Sequence, residues 1–193
     1  MYFLKSISED VQRAQIKFRK HTKVKKLVLG AFLACIATIL QGAGEVLPGI
    51  GYMISPLASL PILIGAMFFI QMGAMAYFLT ILLLFILFPS ELIIFPFTTG
   101  LLALGIGVGF SYVKKRVSII SIGAIFLTMG IFGLLYIFQF PVLGPFGLNS
   151  FSFLSATSIF SFSFLYSWLW VELARFFFNK IKVRSISSKR IME

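Results

Sequence analysis

The chain has 193 residues, of which 59% are hydrophobic and only 12% charged, and its mean hydropathy is +1.00. Soluble domains of this size carry about 25% charge, so the composition excludes an ordinary water-soluble enzyme, a disordered chain and a disulfide scaffold. It leaves a polytopic helical membrane protein; the apolar runs lack the alternation of a transmembrane barrel.

The N-terminal segment, residues 1–26, is basic and cannot span: it holds Lys5, Arg13, Lys17, Arg19, Lys20, Lys23, Lys25 and Lys26. Within it Phe3, Leu4, Ile7, Val11, Ala14 and Phe18 recur at spacings of three and four, which predicts an amphipathic helix. Such a helix suits an anionic inner leaflet, as an anchor or as a dock for a cytoplasmic partner. The first span is predicted over 27–41, ahead of a Gly-rich outer loop, 42–51. The second covers 54–70, with Pro56 and Pro61 near its start. Gln71, Met72 and Gly73 read as a tight inner turn. The third span ends at Pro89, Ser90 and Glu91, on the outside. The fourth covers 93–112 and meets Lys114, Lys115 and Arg116. The fifth covers 118–138, and 139–149, with Pro141 and Pro145, form the last outer loop. The sixth covers 151–174, with Trp168 and Trp170 as interfacial anchors near its inner end. Residues 175–193 form a basic tail.

The positive-inside rule places all three basic clusters in the cytoplasm. An even number of spans must then join each pair, and the intervening lengths accommodate four and two. The expected fold class is all-α: a six-helix transmembrane bundle over 27–174, both termini cytoplasmic, flanked by 1–26 and 175–193. The lipid bilayer is the first partner implied. Basic groups divided among membrane-flanking sites do not suit nucleic acid. The basic stretch before the first apolar run is too long for the n-region of a cleaved signal peptide.

Chemistry is scarce. The one histidine, His21, and the acids Glu9, Asp10 and Glu193 lie in the tails. The one cysteine, Cys35, lies within the first span, and Glu172 stands three residues before Arg175, close enough to pair. No catalytic residue, metal ligand or cofactor site is expected, and so no enzyme. Glu45 and Glu91 fall at outer helix ends with no basic residue on that side. With Tyr52, Gln139 and Asn149 they form a candidate site for a small solute bearing an amine or several hydrogen-bonding groups. The plainer alternative is a pair of solvated carboxylates marking the interface.

Small residues mark close helix contacts. Gly30, Ala34 and Ala37, with Gln41, share one face of the first helix; Gly105, Gly107 and Gly109 sit on the fourth. The latter run has no preceding strand and no lysine, so it is not a phosphate loop. Ser150, Ser152, Ser155, Ser158, Ser161, Ser163 and Ser167 give the sixth helix hydroxyls for interhelical or backbone bonds.

Over residues 23–110 this pattern resembles the substrate-binding S components of energy-coupling factor transporters. The likeness rests on residues 25–37, with a small-xxx-small face supplied by Gly30 and Ala34; on 59–66 followed by Gly73 and Ala74; and on 95–105. The resemblance implies a bacterial plasma-membrane protein that takes a vitamin-like solute from outside and passes it inward. Its partners would be a membrane coupling subunit, met through Gly30, Ala34 and Ala37, and two cytosolic ATPases. A different class also suits the residues: a non-catalytic multi-span scaffold of an envelope or cell-shape assembly.

Overall fold

The computed structural model describes residues 7, 9–19, 22–47, 49–140 and 153–190. They form a helical bundle. A short helix α1, Glu9–Arg19, precedes α2, Lys23–Val46. Thr22 caps α2, its hydroxyl accepting from the amide of Lys25. There follow α3 (Gly51–Phe68), α4 (Ile70–Leu87), α5 (Pro89–Tyr112) and α6 (Arg116–Ile137). These five, α2 to α6, are long and apolar enough to cross a membrane, which makes the chain a helical membrane protein. The last helix, α7, is Phe153–Arg190.

Three boundaries depart from the sequence expectation. Residues 42–46 stay helical, so α2 runs past its expected end and the Gly-rich loop shrinks to a tight return. Gly51 folds against α2 so closely that a Cβ there would strike the carbonyl of Ala43. The turn expected at 71–73 falls instead at Phe69, whose backbone is extended, and Gln71, Met72 and Gly73 belong to α4. Gly73 serves packing rather than turning: a Cβ on it would lie 2.5 Å from the Cβ of Ala66. A Cβ on Gly107 would lie 2.4 Å from the same atom, so α3, α4 and α5 meet at Ala66. The basic tail, in turn, continues α7 as helix to Arg190.

α6 and α7 run antiparallel. Arg116, at the start of α6, meets Glu172, and Gly123, two turns on, faces Ser167. Ser163 and Ser167 are fully buried. The serines lower the hydropathy of α7 while placing hydroxyls inside the bundle.

At the end carrying the basic residues, α1 is docked on the bundle. Val11 is buried, the Gln15 amide donates to Ser111 Oγ at 2.9 Å, and the Ile7 amide donates to the Lys114 carbonyl at 3.1 Å. Phe18, Phe68 and Phe178 meet ring to ring in succession, tilted, with centroids 5.6 and 5.5 Å apart. The apolar face expected to lie on lipid therefore lies on α3 and α5. Phe3 and Leu4, also assigned to that face, lie outside the described residues. Backbone and side-chain contacts thus join all three basic segments at one end of the bundle.

Candidate functional site

At the opposite end, chain geometry turns one acid inward. Phe88 leaves the helical region and ends α4; Pro89, with its fixed φ, opens a tight 3-10 turn over Pro89–Leu92. The Glu91 amide bonds back to the Phe88 carbonyl at 3.1 Å, and this turn carries the Glu91 side chain into the bundle, where the residue is 7% exposed. Its Oε2 accepts from Gln41 Nε2 at 2.8 Å. Gln41 Oε1 accepts in turn from the Thr99 hydroxyl at 3.0 Å, and the Thr99 carbonyl accepts from Ser59 Oγ at 3.0 Å. An acceptor-only carboxylate on one side and a hydroxyl donor on the other agree on the orientation of the Gln41 amide. The row joins α2, α3 and α5. A backbone break at Thr98 sets Thr99 at the start of the long run of α5.

The other oxygen, Oε1, points toward Gly44 of α2. A Cβ built there would lie 3.2 Å from it and 3.6 Å from the Tyr52 ring. The missing side chain lets Glu91 and the edge of Tyr52 close directly on α2, where even one added carbon would crowd the carboxylate. Among the described residues no basic side chain reaches Glu91; both ion pairs lie at the far end. A buried carboxylate with a single side-chain hydrogen bond is costly unless a proton or a cation joins it.

The five expected site residues separate. Glu91 and Tyr52 meet over Gly44, although Tyr52 itself is 69% exposed. Glu45 is exposed beside them and accepts from Ser90 Oγ at 2.5 Å, so it fits the plainer reading of a solvated interfacial acid. Gln139 is exposed beyond α6 with φ of 51°, and among the described residues no hydrogen bond ties it to Glu91. Asn149 lies outside the described residues. Sequence reasoning assigned no role in the site to Ser59, Ser90 and Thr99. It noticed Gln41 only as part of a small-residue face; one polar residue on an otherwise small and apolar stripe was the available signal.

That stripe, expected to meet a partner, is covered by the chain's own helices in this structure. Ala34 and Ala37 are fully buried, and Thr80 of α4 donates to the Ala34 carbonyl at 3.4 Å. A Cβ on Gly30 would lie 2.0 Å from Met75 Cε and 3.3 Å from Met72 Cγ, both on α4. The face of α2 carrying Val28, Phe32, Cys35 and Ile39 is the one left uncovered.

A second polar cluster stands at the basic end. Arg116, 3% exposed, pairs through Nε with Glu172 Oε1 at 3.3 Å, and Arg175 donates to Glu172 Oε2 at 3.4 Å. One carboxylate thus serves two guanidinium groups and ties the start of α6 to α7. No family model, no characterised protein and no solved structure matches the chain at a significant level.

Proposed function

We propose that the chain is a six-span membrane protein with both termini cytoplasmic, which binds a small amine-bearing solute at its outer end. In this reading it is the solute-binding subunit of an ATP-driven uptake transporter. It passes the solute inward with a membrane coupling subunit and two cytosolic ATPases. The observation that carries the proposal is Glu91: a buried carboxylate, one oxygen held by Gln41 and the other against Gly44, with no counter-charge among the described residues. An ammonium group that displaces the exposed Tyr52 ring from above Gly44 would supply the missing charge and keep an aromatic edge beside it. The sixth crossing is supported by the antiparallel course of α7 beside α6, and the common side of the termini by the meeting of all three basic segments. A coupling subunit would have to meet lipid-facing side chains such as Val28 and Phe32, since the small-residue face is covered.

The test is a thermal-shift screen of the purified chain with a panel of small primary, secondary and quaternary amines. At least one amine should raise the melting temperature of the wild type and of Glu45→Gln, and leave Glu91→Gln unmoved. If no amine distinguishes a folded Glu91→Gln protein from the wild type, the solute reading is wrong. A second reading is favoured by the way the Gln41 row ties three helices together: a non-catalytic membrane scaffold, in which Glu91 is a structural clasp. That reading predicts that Glu91→Gln lowers stability and that no amine acts at all.

A further inference from the structure

The cleft between the basic ends of α2 and α4 is independent of the outer site. Its volume is about 390 Å³. Lys23, Lys26 and Gln71 supply its polar lining, and Leu27, Phe69, Met72 and Met75 its apolar lining, with Met72 the buried one and Leu27 open to the surroundings. Lys26 is held over the opening. Its ammonium lies 4.8 Å from the centre of the Phe69 ring and donates to the Arg19 carbonyl at 2.9 Å. Those contacts fix its position without neutralising it, because a ring face and a carbonyl carry no net charge. Lys23 is exposed, and among the described residues it pairs with no acid. The local field is therefore strongly positive, and directly beneath it the wall is apolar and belongs to two membrane-crossing helices.

A headgroup with a net negative charge and an attached hydrocarbon chain satisfies both halves. We propose that this cleft binds an anionic glycerophospholipid of the adjacent leaflet. Lys23 and Lys26 take the phosphate, the Gln71 amide donates to the phosphate or glycerol oxygens, and one acyl chain begins against Leu27 and Met75. A free phosphate would leave the apolar lining uncovered, and a zwitterionic lipid would bring an ammonium group back beside the two lysines. The break at Phe69 builds the site. Its extended backbone ends α3 and swings the ring beneath Lys26, while the next residues start α4 with Gln71 outermost. Gly30 lies just below, where Met75 Cε occupies the place a side chain would take, so the cleft closes there.

The experiment is native mass spectrometry of the full chain released from detergent micelles, titrated with dioleoyl-phosphatidylglycerol, dioleoyl-phosphatidylcholine and glycerol 3-phosphate. The wild type should retain phosphatidylglycerol in preference to the other two. Each lysine removed should weaken that binding by about 5-fold, so Lys23→Gln shows a partial loss and Lys23→Gln/Lys26→Gln about 25-fold. Lys23→Gln alone alters an exposed side chain with no partner, and keeps the test valid should the double variant misfold. Lys114→Gln/Lys115→Gln should bind as the wild type does. Equal retention of phosphatidylcholine, equal binding of glycerol 3-phosphate, an unaffected Lys23→Gln, or an equal loss in the Lys114/Lys115 variant would each overturn the proposal.

Discussion

Replacing Gly73 with alanine adds one methyl group, and the structure says where it goes. The new Cβ would lie 2.5 Å from the Cβ of Ala66 and 2.7 Å from its Cα and N. Carbon atoms in contact prefer about 3.5–4.0 Å, so α3 and α4 must move apart by about 1 Å at their closest point. Overpacking against backbone-anchored atoms sits in the upper part of its range, about 2–3 kcal/mol, and the better helix propensity of alanine returns about 1 kcal/mol. The expected net loss for Gly73→Ala is about 1–2 kcal/mol. Gly30→Ala is the control, because there the blocking atom is Met75 Cε, the end of a flexible chain. A rotamer shift costs about 0.5–1.5 kcal/mol, which the propensity gain offsets, so Gly30→Ala should be nearly neutral. The assay is the midpoint of unfolding in mixed micelles as the share of dodecyl sulfate rises, followed by tryptophan fluorescence. A double-mutant cycle with Ala66→Gly should show coupling of more than about 0.5 kcal/mol. A Gly73→Ala protein as stable as the wild type, or a Gly30→Ala protein less stable than Gly73→Ala, would refute the packing argument.

Two other outcomes follow from the charges. Glu172→Gln should destabilise the bundle by about 2–3 kcal/mol in the same assay. It leaves Arg116 buried without its carboxylate, an effect reduced by the partial exposure of Glu172; an unchanged midpoint would count against the pairing. For topology, a Cys35→Ala background carrying Ser90→Cys should react with an impermeant maleimide in intact cells. Lys114→Cys should react only after permeabilisation, and the opposite pattern would invert the proposed orientation.

Much of the fold was legible because a bilayer leaves few choices. Backbone polar groups must be satisfied within each crossing, so continuous apolar runs read directly as helices and charges mark the ends. The expected spans 93–112 and 118–138 overlie α5 and α6 almost end to end. What could not be read was which way a helix faces. Gly30, Ala34 and Ala37 were seen as one stripe, but small residues suit an internal and an external contact equally well, and only the position of α4 decides between them. The periodicity of α1 announced an apolar face without saying whether lipid or protein would cover it. Glu91 and Glu45 look alike as outer acids. They part because Phe88 and Pro89 set a turn that rotates Glu91 inward, while Glu45 stays exposed at the end of α2, a matter of backbone angles rather than composition. Gln41 drew notice only as part of a packing face, since its partner Thr99 lies 58 positions away.

The serines of α7 bear on how the protein is made. Membrane insertion proceeds from the N-terminus, and a segment enters lipid on its own only if its summed side-chain transfer energy is favourable. In α7, Ser163 and Ser167 work against that sum, yet both end fully buried, with Ser167 facing bare Gly123 of α6. A hydroxyl that would be costly in hydrocarbon is sheltered once α6 is already in place. In the six-span arrangement proposed above, α7 would depend for its entry on the helix synthesised just before it, and a side chain added at Gly123, besides pressing on Ile106 of α5, would be felt during insertion as well as in the finished bundle.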